Sequence, residues 1–391
     1  MFKKVVVGIS GGVDSAVTAL LLKSKGFEVT AVFMKNWDIA NELGECQADK
    51  DLEDAKWICN KLKIPLVDVN FVKEYWNDVF DNLIKNYEKG NTPNPDIQCN
   101  KKIKFNKFFN FARSELGADA IATGHYARSS FGPYLEYFKA NENARLLRAK
   151  DSFKDQTFFL SQIPQLALQR TMFPLGDYFK QEVKQIAKEA NLDIVVNKKE
   201  SMGICFIGRR NFQKFIDEYI ENKPGNFIDI LTGEIVGKHN GIHQWTLGQC
   251  CRIGGISVSY FVFHKNISNN NIYVVPGTKH PMLYSEFLIA ENIHWIYGEP
   301  KQLKNSTNVF DCDFRFQHTH ELVPCTIYKS PDNKLSIRLY KPLRAVTPGQ
   351  FAVFYSGEEC LGSAEIVKIG FHCNFQDQES TDEDIKEKMS S

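Results

Sequence analysis

The segment Gly8-Ile9-Ser10-Gly11-Gly12-Val13-Asp14-Ser15 decides the fold. It lies between a β-branched run at 4–8 and helically spaced apolar residues at 13–25, so we expect a strand, a loop and a helix. Two adjacent glycines let backbone amides approach a phosphate closely, and the helix N-terminus adds free N–H groups and its dipole. Asp14 is unusual in a site that only holds an anion. We therefore expect Asp14 to bind magnesium or to position the nucleotide.

The signals that follow this segment predict an α/β domain with a parallel sheet. Strands are expected at 28–34 and 65–71, helices at 51–62 and 105–116, and a further short strand at 120–122. Strands that alternate with helices predict a parallel sheet with helices on both faces. Ligands of such sheets bind beyond the carboxyl ends of the strands.

The pattern changes beyond residue 210. A helix is expected at 211–220, and Pro224-Gly225 then breaks the chain. From about residue 285 nearly all signals are short strands, which favours a small β-barrel. We expect four regions: a catalytic α/β domain at 1–212, a small central α+β domain at 213–284, a β-barrel at 285–375 and a disordered polar tail at 376–391.

Composition excludes several classes of protein. The chain has 391 residues, of which 43% are hydrophobic and 24% charged, as in globular proteins. No stretch of 18 apolar residues occurs, so we expect no association with a membrane. Because 48 basic and 47 acidic residues leave a net charge of +1, a nucleic acid would have to bind to a local patch. The ten cysteines include no CxxC pair, and we expect no resident metal site.

Two cysteines stand in distinctive surroundings. Cys99 belongs to the polar segment 94–100 (NPDIQCN) and precedes three lysines within 101–104, a setting that lowers a thiol pKa. Cys205 lies in the segment 200–208 (ESMGICFIG). From the residues alone, Cys205 is either a reactive thiol on a mobile loop or a core cysteine.

Several motifs resemble those of known enzymes. The loop differs from the GxxxxGK[ST] and GxGxxG patterns. It resembles the PP-loop of ATP pyrophosphatases, whose adenine nucleotide α-hydrolase-like fold is then implied for the first domain. Seven segments occur in the order found in tRNA-specific 2-thiouridylases: 10–15 (SGGVDS), 33–37 (FMKNW), 94–105 (NPDIQCNKKIKF), 122–126 (ATGHY), 154–156 (KDQ), 201–208 (SMGICFIG) and 346–350 (VTPGQ).

The resemblance implies a reaction and its catalytic residues. ATP adenylates O2 of the wobble uridine in a tRNA anticodon, a persulfide on Cys205 delivers sulfur to C2, and AMP and pyrophosphate are released. Cys99 is the second thiol, which releases the sulfur and forms a disulfide with Cys205. Asp96, three residues before Cys99, is implied as the general acid or base. The target base is expected to be flipped out of the anticodon stack.

The resemblance also implies two sets of binding residues. Met34 and Gly124 would line the adenine and ribose pocket, and Arg315 beside Phe316 suits a phosphate and a stacked base. The implied residues for ATP with Mg²⁺ are Gly8, Ile9, Ser10, Gly11, Gly12, Val13, Asp14, Ser15, Met34 and Gly124. The implied tRNA contacts are Asn94, Pro95, Asp96, His125, Lys154, Asp155, Gln156, Arg315, Phe316 and Gln350, and the central domain is expected to bind tRNA as well.

Partners and location follow from the same resemblance. The implied partners are the anticodon arm of tRNAs for Lys, Glu and Gln, and a persulfide donor such as a cysteine desulfurase or a sulfur-carrier protein. The stretches 152–162 and 200–212 are similar to the animal mitochondrial branch of the family. We therefore expect the mitochondrial matrix, with the bacterial cytoplasm as the alternative.

Three alternatives stay open at the level of sequence. An ATP-dependent amide or C–N ligase would share the loop but need neither Cys99 nor Cys205. A non-catalytic RNA-binding protein with a relict ATP fold is the second, although the intact SGGVDS argues against it. The third is the same thiolation with an iron–sulfur cluster held by Asp96, Cys99 and Cys205.

Overall fold

A computed structural model describes residues 2–38, 47–198, 211–255, 257–304 and 308–371. The segment around Cys205 and the tail at 376–391 lie outside these ranges, so the expectations for both remain predictions. None of the helices within these ranges is long and apolar enough to cross a membrane.

The N-terminal domain is built on a five-stranded parallel sheet with the order β3-β2-β1-β4-β7. Residues 5–7 of the central strand are buried, which explains why this strand is a continuous apolar run. The sheet confirms the predicted fold class. Its strands and the associated hairpin are β1 (Lys4–Ile9), β2 (Glu28–Lys35), β3 (Leu66–Asn70), β4 (Ala120–Ala122), β5 (Arg128–Ser129), β6 (Leu146–Leu147) and β7 (Thr171–Met172).

Helices cover the sheet and form the surroundings of the phosphate loop. The α-helices are α1 (Val13–Ser24), α2 (Gln47–Leu62), α3 (Val72–Tyr75), α4 (Asp81–Glu88), α5 (Pro95–Cys99), α6 (Phe109–Ser114), α7 (Thr157–Leu160), α8 (Gln165–Leu168), α9 (Lys180–Glu189), α10 (Asp193–Val196) and α11 (Phe212–Asp217). Two π-helical segments, Trp76–Phe80 and Asn100–Phe108, join α3 to α4 and α5 to α6.

The helix expected at 105–116 begins earlier, at Pro95. The side chain of Asn94 caps it by accepting a hydrogen bond from the Ile97 amide at 3.1 Å, and proline suits the first helical position. The expectation gave the part of this helical stretch that follows the kink at Phe105, where φ −99° and ψ 18° are not helical, and it missed the turns before the kink. Cys99 therefore belongs to a helix rather than to a loop.

The central domain contains a five-stranded sheet with the order β10-β11-β12-β8-β9. Only the β12–β8 pair is parallel among these pairings. Buried Phe227, Val262 and Val274 belong to its small core. The strands are β8 (Gly225–Asp229), β9 (Ile235–His239), β10 (Cys250–Cys251), β11 (Tyr260–Asn266) and β12 (Asn271–Pro276).

The C-terminal domain is a closed antiparallel β-barrel, as predicted. Its six strands follow the order β13-β16-β15-β14-β17-β18, and β18 pairs back to β13. Closure removes free strand edges. The strands are β13 (Tyr284–Trp295), β14 (Val309–Arg315), β15 (Val323–Lys329), β16 (Leu335–Arg344), β17 (Phe351–Ser356) and β18 (Glu359–Phe371).

The barrel and the N-terminal domain share a sheet. Strand β6 pairs with β18 through Leu146 opposite Cys360, and β5 extends the sheet beyond β6. This continuity fixes the barrel beside the loops that follow the parallel strands.

Candidate active site

The phosphate loop has the geometry of an anion site. Gly11 has φ +70°, and a Cβ there would lie 2.6 Å from the Asp51 carbonyl oxygen, so only glycine fits. The Ser15 hydroxyl donates to the Gly12 carbonyl at 3.0 Å and accepts from the Ser10 amide at 3.2 Å. Gly12 precedes α1 and supplies no side-chain cap. The first amides of α1 are therefore available to an anion, and this loop fits the phosphates of ATP.

Asp14 is held by two partners from distant parts of the chain. Both carboxylate oxygens lie close to the Lys180 ammonium, at 2.7 and 2.8 Å. The Tyr126 hydroxyl donates to Oδ1 at 2.9 Å. This pairing supports the positioning role predicted for Asp14, and the magnesium role stays a prediction.

Lys180 was not indicated by any sequence motif. It begins α9, its side chain is mostly buried, and its backbone amide donates to Asp151 Oδ2 at 3.0 Å. A lysine at a helix N-terminus is unfavourable for the helix dipole. That mismatch is the sequence signal that could have singled it out.

Lys198 connects the phosphate loop to α2. Its ammonium donates to the Gly11 carbonyl at 3.2 Å and to Asp51 at 2.8 Å, and it also pairs with Asp54. Burial lowers the pKa of Lys198, but the two carboxylates more than offset this and leave the pKa raised. Lys198 therefore joins the phosphate loop to α2 through its ion pairs with both carboxylates.

The residues expected around the adenosine lie against the loop. A Cβ on Gly8 would lie 3.3 Å from Met34 Cε and 3.6 Å from the Phe108 ring. A Cβ on Gly124 would lie 2.9 Å from the Ser15 amide nitrogen. Because Gly124 has no side chain, the segment that follows β4 can lie close to the start of α1.

Asp96 lies in the first turn of α5, one turn before Cys99. Burial raises the pKa of the Asp96 carboxyl, and the positive charge of Lys104 partly opposes this. Cys99 is buried, with 6% of its surface exposed. A carboxyl group whose pKa is raised by burial is suited to general acid or base work on a neighbouring group.

His125 joins this cluster. Its Nε2 lies 3.4 Å from the Lys104 ammonium and its Nδ1 lies 2.9 Å from the Thr123 hydroxyl. Burial, together with the Lys104 charge, holds the pKa of His125 well below its usual value. His125 is therefore neutral at physiological pH. The structure thus brings three predicted residues, Asp96, Cys99 and His125, to the same region.

Gln350 ties the barrel to the start of α5. Its Nε2 donates to the backbone carbonyls of Thr92 and Pro93 at 2.8 and 3.3 Å. Its Oε1 accepts from Asn94 Nδ2 at 3.2 Å. Two residues expected to contact tRNA, Asn94 and Gln350, therefore contact each other, and Pro95 beside them is buried.

Asp155 and Arg315 meet at the domain interface. The buried Asp155 carboxylate lies 3.6 Å from an Arg315 nitrogen and 3.7 Å from Arg148 Nε. It also accepts from the Thr157 hydroxyl at 2.9 Å. His318 Nε2 lies 2.7 Å from the Asp155 carbonyl oxygen, so the barrel is fastened to this loop.

The residues next to Asp155 and Arg315 in the sequence lie in different surroundings from this pair. Phe316 is 1% exposed and belongs to the barrel core, 6.2 Å from the Phe314 ring, so in this structure it is not presented to RNA. Gln156 accepts a hydrogen bond from the Tyr126 amide at 2.9 Å, and Lys154 lies in the turn before it.

Comparison with known proteins gives the family. Residues 3–209 match the family model described as tRNA methyl transferase HUP domain, residues 213–276 the tRNA methyl transferase PRC-barrel domain, and residues 285–366 the Aminomethyltransferase beta-barrel domain. The chain is 52% identical to mitochondrial tRNA-specific 2-thiouridylase 1 of Drosophila melanogaster, over 94% of each chain. The chain belongs to the tRNA-specific 2-thiouridylase family.

Other members of the 2-thiouridylase family are similar over the same extent. The human protein named mitochondrial tRNA-specific 2-thiouridylase 1 is 49% identical over 94% of this chain and 91% of that protein. The tRNA-specific 2-thiouridylase MnmA of Alkaliphilus oremlandii is 44% identical over 94% of this chain and 97% of that protein. These matches span all three domains.

The described residues of this 2-thiouridylase family member include no group of three or more His, Cys, Asp or Glu side chains placed to hold a metal ion. Cys205, the third residue of the iron–sulfur alternative, lies outside the described ranges. The choice between a persulfide and a cluster therefore stays a prediction.

Proposed function

We propose that this protein catalyses ATP-dependent 2-thiolation of the wobble uridine in tRNA anticodons. The observation that carries the proposal concerns two consecutive residues, His125 and Tyr126. The Tyr126 hydroxyl contacts Asp14 of the phosphate loop, and the His125 ring contacts Lys104 beside Asp96. The loop that fits phosphates and the helix that carries Asp96 and Cys99 are therefore adjacent.

ATP, as the second substrate, supplies the adenylyl group that makes C2 of the uridine reactive. The chain's own residues then have distinct roles. The loop at 10–15 holds the phosphates, and Asp96 exchanges a proton with the uridine or with the Cys99 thiol. Cys205 carries the persulfide, and Cys99 attacks its Sγ, so that sulfur is transferred to C2 and a Cys99–Cys205 disulfide remains. A disulfide requires Cα atoms within about 7 Å, so the Cys205 segment must reach α5.

The contacts in the structure support positioning roles for several proposed tRNA residues. Asn94 and Gln350 fix the start of α5, and Asp155 with Arg315 fixes the loop at 154–156 against the barrel. We propose that tRNA reaches the site along this interface. We propose that magnesium binds to the phosphates of the nucleotide and not to Asp14.

The finer partners are proposals as well. The substrates are proposed to be the tRNAs for Lys, Glu and Gln, and the sulfur is proposed to come from a cysteine desulfurase or a sulfur-carrier protein. Several relatives that share about half of the residues carry the word mitochondrial in their names, which supports the mitochondrial matrix over the bacterial cytoplasm.

The test is a reconstituted reaction. The full chain is incubated with ATP, Mg²⁺, unmodified tRNA and a persulfide donor, and AMP, pyrophosphate and 2-thiouridine are measured. We expect AMP and 2-thiouridine in equal amounts, both dependent on tRNA. AMP without sulfur incorporation, and unchanged by Cys99→Ser, would instead favour a C–N ligase. Thiolation proportional to bound iron after anaerobic purification would favour the cluster mechanism.

A further inference from the structure

Phe153 is the most exposed large hydrophobic side chain among the described residues, with 92% of its surface accessible. Single exposed apolar residues are common and by themselves carry no meaning. Phe153 differs because of where it lies and how it is held. It occupies a turn between the buried residues Asp151 and Asp155, next to the segment 154–156.

Hydrogen bonds to buried aspartates fix the turn that carries Phe153. Asp151 is buried, and its Oδ1 accepts from the backbone amides of Phe153 and Lys154 at 3.1 and 3.3 Å. Its Oδ2 accepts from the Lys180 amide at 3.0 Å. Asp155 closes the other end through its hydrogen bond from the Ala149 amide at 3.1 Å. These hydrogen bonds fix the backbone of the turn, and the Phe153 ring is exposed to solvent.

The same anchors place the turn beside the reaction site. Lys180, which binds the Asp151 carboxylate through its amide, binds Asp14 of the phosphate loop through its ammonium. Gln156, just after the turn, pairs with the backbone of Tyr126, whose hydroxyl also contacts Asp14. Phe153 thus lies at the edge of the site rather than on a remote surface.

The surroundings of Phe153 are basic and aromatic. Lys150 is exposed, and its ammonium lies 4.8 Å from the centroid of the half-exposed Phe179 ring. Lys154 directly follows Phe153. Aromatic rings beside lysines form the usual surface on which unpaired bases stack while their phosphates are neutralised.

We propose that Phe153 stacks on an unpaired base of the tRNA anticodon loop and so orients the arm over the site. This inference rests on the proposed function and adds a contact to it. An RNA base is favoured over a protein partner because an exposed ring with lysines nearby in the sequence offers stacking area and positive charge but little apolar surface for a protein interface.

The test measures binding of an anticodon stem-loop RNA to the full chain by fluorescence anisotropy at constant salt. Phe153→Ala is compared with the parent, with Phe153→Trp and with Tyr137→Ala. Tyr137 is 69% exposed but adjoins Phe138, which packs on Phe2 at the amino end of β1, away from the site. Because Phe153 is exposed, its removal should leave the melting temperature unchanged.

We expect Phe153→Ala to weaken RNA binding at least about fivefold, Phe153→Trp to restore it and Tyr137→Ala to match the parent. One unpaired loop position should exist at which an abasic nucleotide weakens binding to the parent but not to Phe153→Ala. Equal affinities of parent and Phe153→Ala would overturn the inference, as would a defect seen only in sulfur transfer from the protein donor. Failure of the parent itself to bind RNA would count against the proposed function.

Discussion

Lys180 holds both carboxylate oxygens of Asp14 at 2.7 and 2.8 Å, although the two residues are 166 positions apart in the sequence. Asp14 follows the glycines of the phosphate loop, and Lys180 begins α9, which packs against α1. The pair neutralises a carboxylate that would otherwise face the phosphates of a bound nucleotide. The anion site therefore depends on a residue that no loop motif contains.

Replacing Lys180 tests this dependence. We expect Lys180→Met to weaken ATP binding by at least about 2 kcal/mol, roughly 30-fold, because the Asp14 charge is left unpaired beside the phosphates. Adding Asp14→Asn should recover part of the loss. Calorimetric titration with ATP measures both effects, and Lys188→Met, an exposed substitution on the same helix, is the control. Unchanged ATP affinity in Lys180→Met would contradict this role.

Lys104 should control the pH dependence of thiolation. Its charge lowers the pKa of both Asp96 and His125, so its removal raises both pKa values. We expect Lys104→Met to move the limb of the rate profile that reports Asp96 to higher pH. Single-turnover thiolation at saturating ATP gives the profile. Lys107→Met, which removes a half-exposed lysine 4.0 Å from Asp78, should leave it in place. A shift of this limb to lower pH in Lys104→Met would contradict its assignment to Asp96.

Gln350 should act on the reaction through the position of α5. Gln350→Glu keeps the shape but removes the donor to two backbone carbonyls and places a carboxylate against them. We expect the activation barrier of thiolation to rise by about 1–3 kcal/mol, so that the rate falls, while the ATP affinity stays unchanged. Gln302→Glu adds the same charge at an exposed site of the barrel domain and should have no effect. If Gln350→Glu thiolates tRNA at the same rate as the parent, the barrel does not position Asp96 and Cys99.

The central domain should gain stability as pH rises, because of Lys265. Burial lowers the pKa of Lys265 from 10.5 to about 7, and its Nζ donates to the Trp245 carbonyl, a hydrogen bond that a neutral amine can also make. Between these values the unfolded chain binds more protons than the folded chain, so the free energy of unfolding rises with pH.

We expect a difference in slope of about 1.4 kcal/mol per pH unit between the parent and Lys265→Met over this window. Urea unfolding at several pH values measures it, with the exposed Lys279→Met as the control. Parallel stability curves for the parent and Lys265→Met would argue against a neutral buried lysine.

Much of the fold could be predicted from local patterns. The central parallel strand β1 is a continuous apolar run, and barrel strands such as β15 and β16 alternate in burial, so much of both sheets follows from periodicity. The start of α5 could not be predicted in this way, because the π-helical segment after it breaks the helical period. The full length of strand β18 cannot be predicted from periodicity, because Gly362 and Gly370 interrupt its pattern. Gly362 sits at φ +143°, where an added Cβ would clash with the His294 carbonyl.

The candidate site was predictable where chemistry is local and not where it depends on tertiary pairing. The phosphate loop and the Asp96–Cys99 spacing are readable in the sequence. The partners Lys180 and Lys104 are brought to Asp14 and His125 only by the fold. Phe316 follows the last residue of β14 and turns into the barrel core, whereas its neighbour Arg315 faces Asp155, a distinction that composition alone does not make.

The most direct test of the account is sulfur transfer by single-cysteine variants. Cys99→Ser, Cys205→Ser and the exposed control Cys250→Ser are given ATP, tRNA and a persulfide donor, and 2-thiouridine per tRNA is measured by nucleoside chromatography. We expect no 2-thiouridine from Cys99→Ser or Cys205→Ser while adenylation of tRNA continues, and parental amounts from Cys250→Ser. Formation of 2-thiouridine by Cys205→Ser would contradict the proposed path of the sulfur.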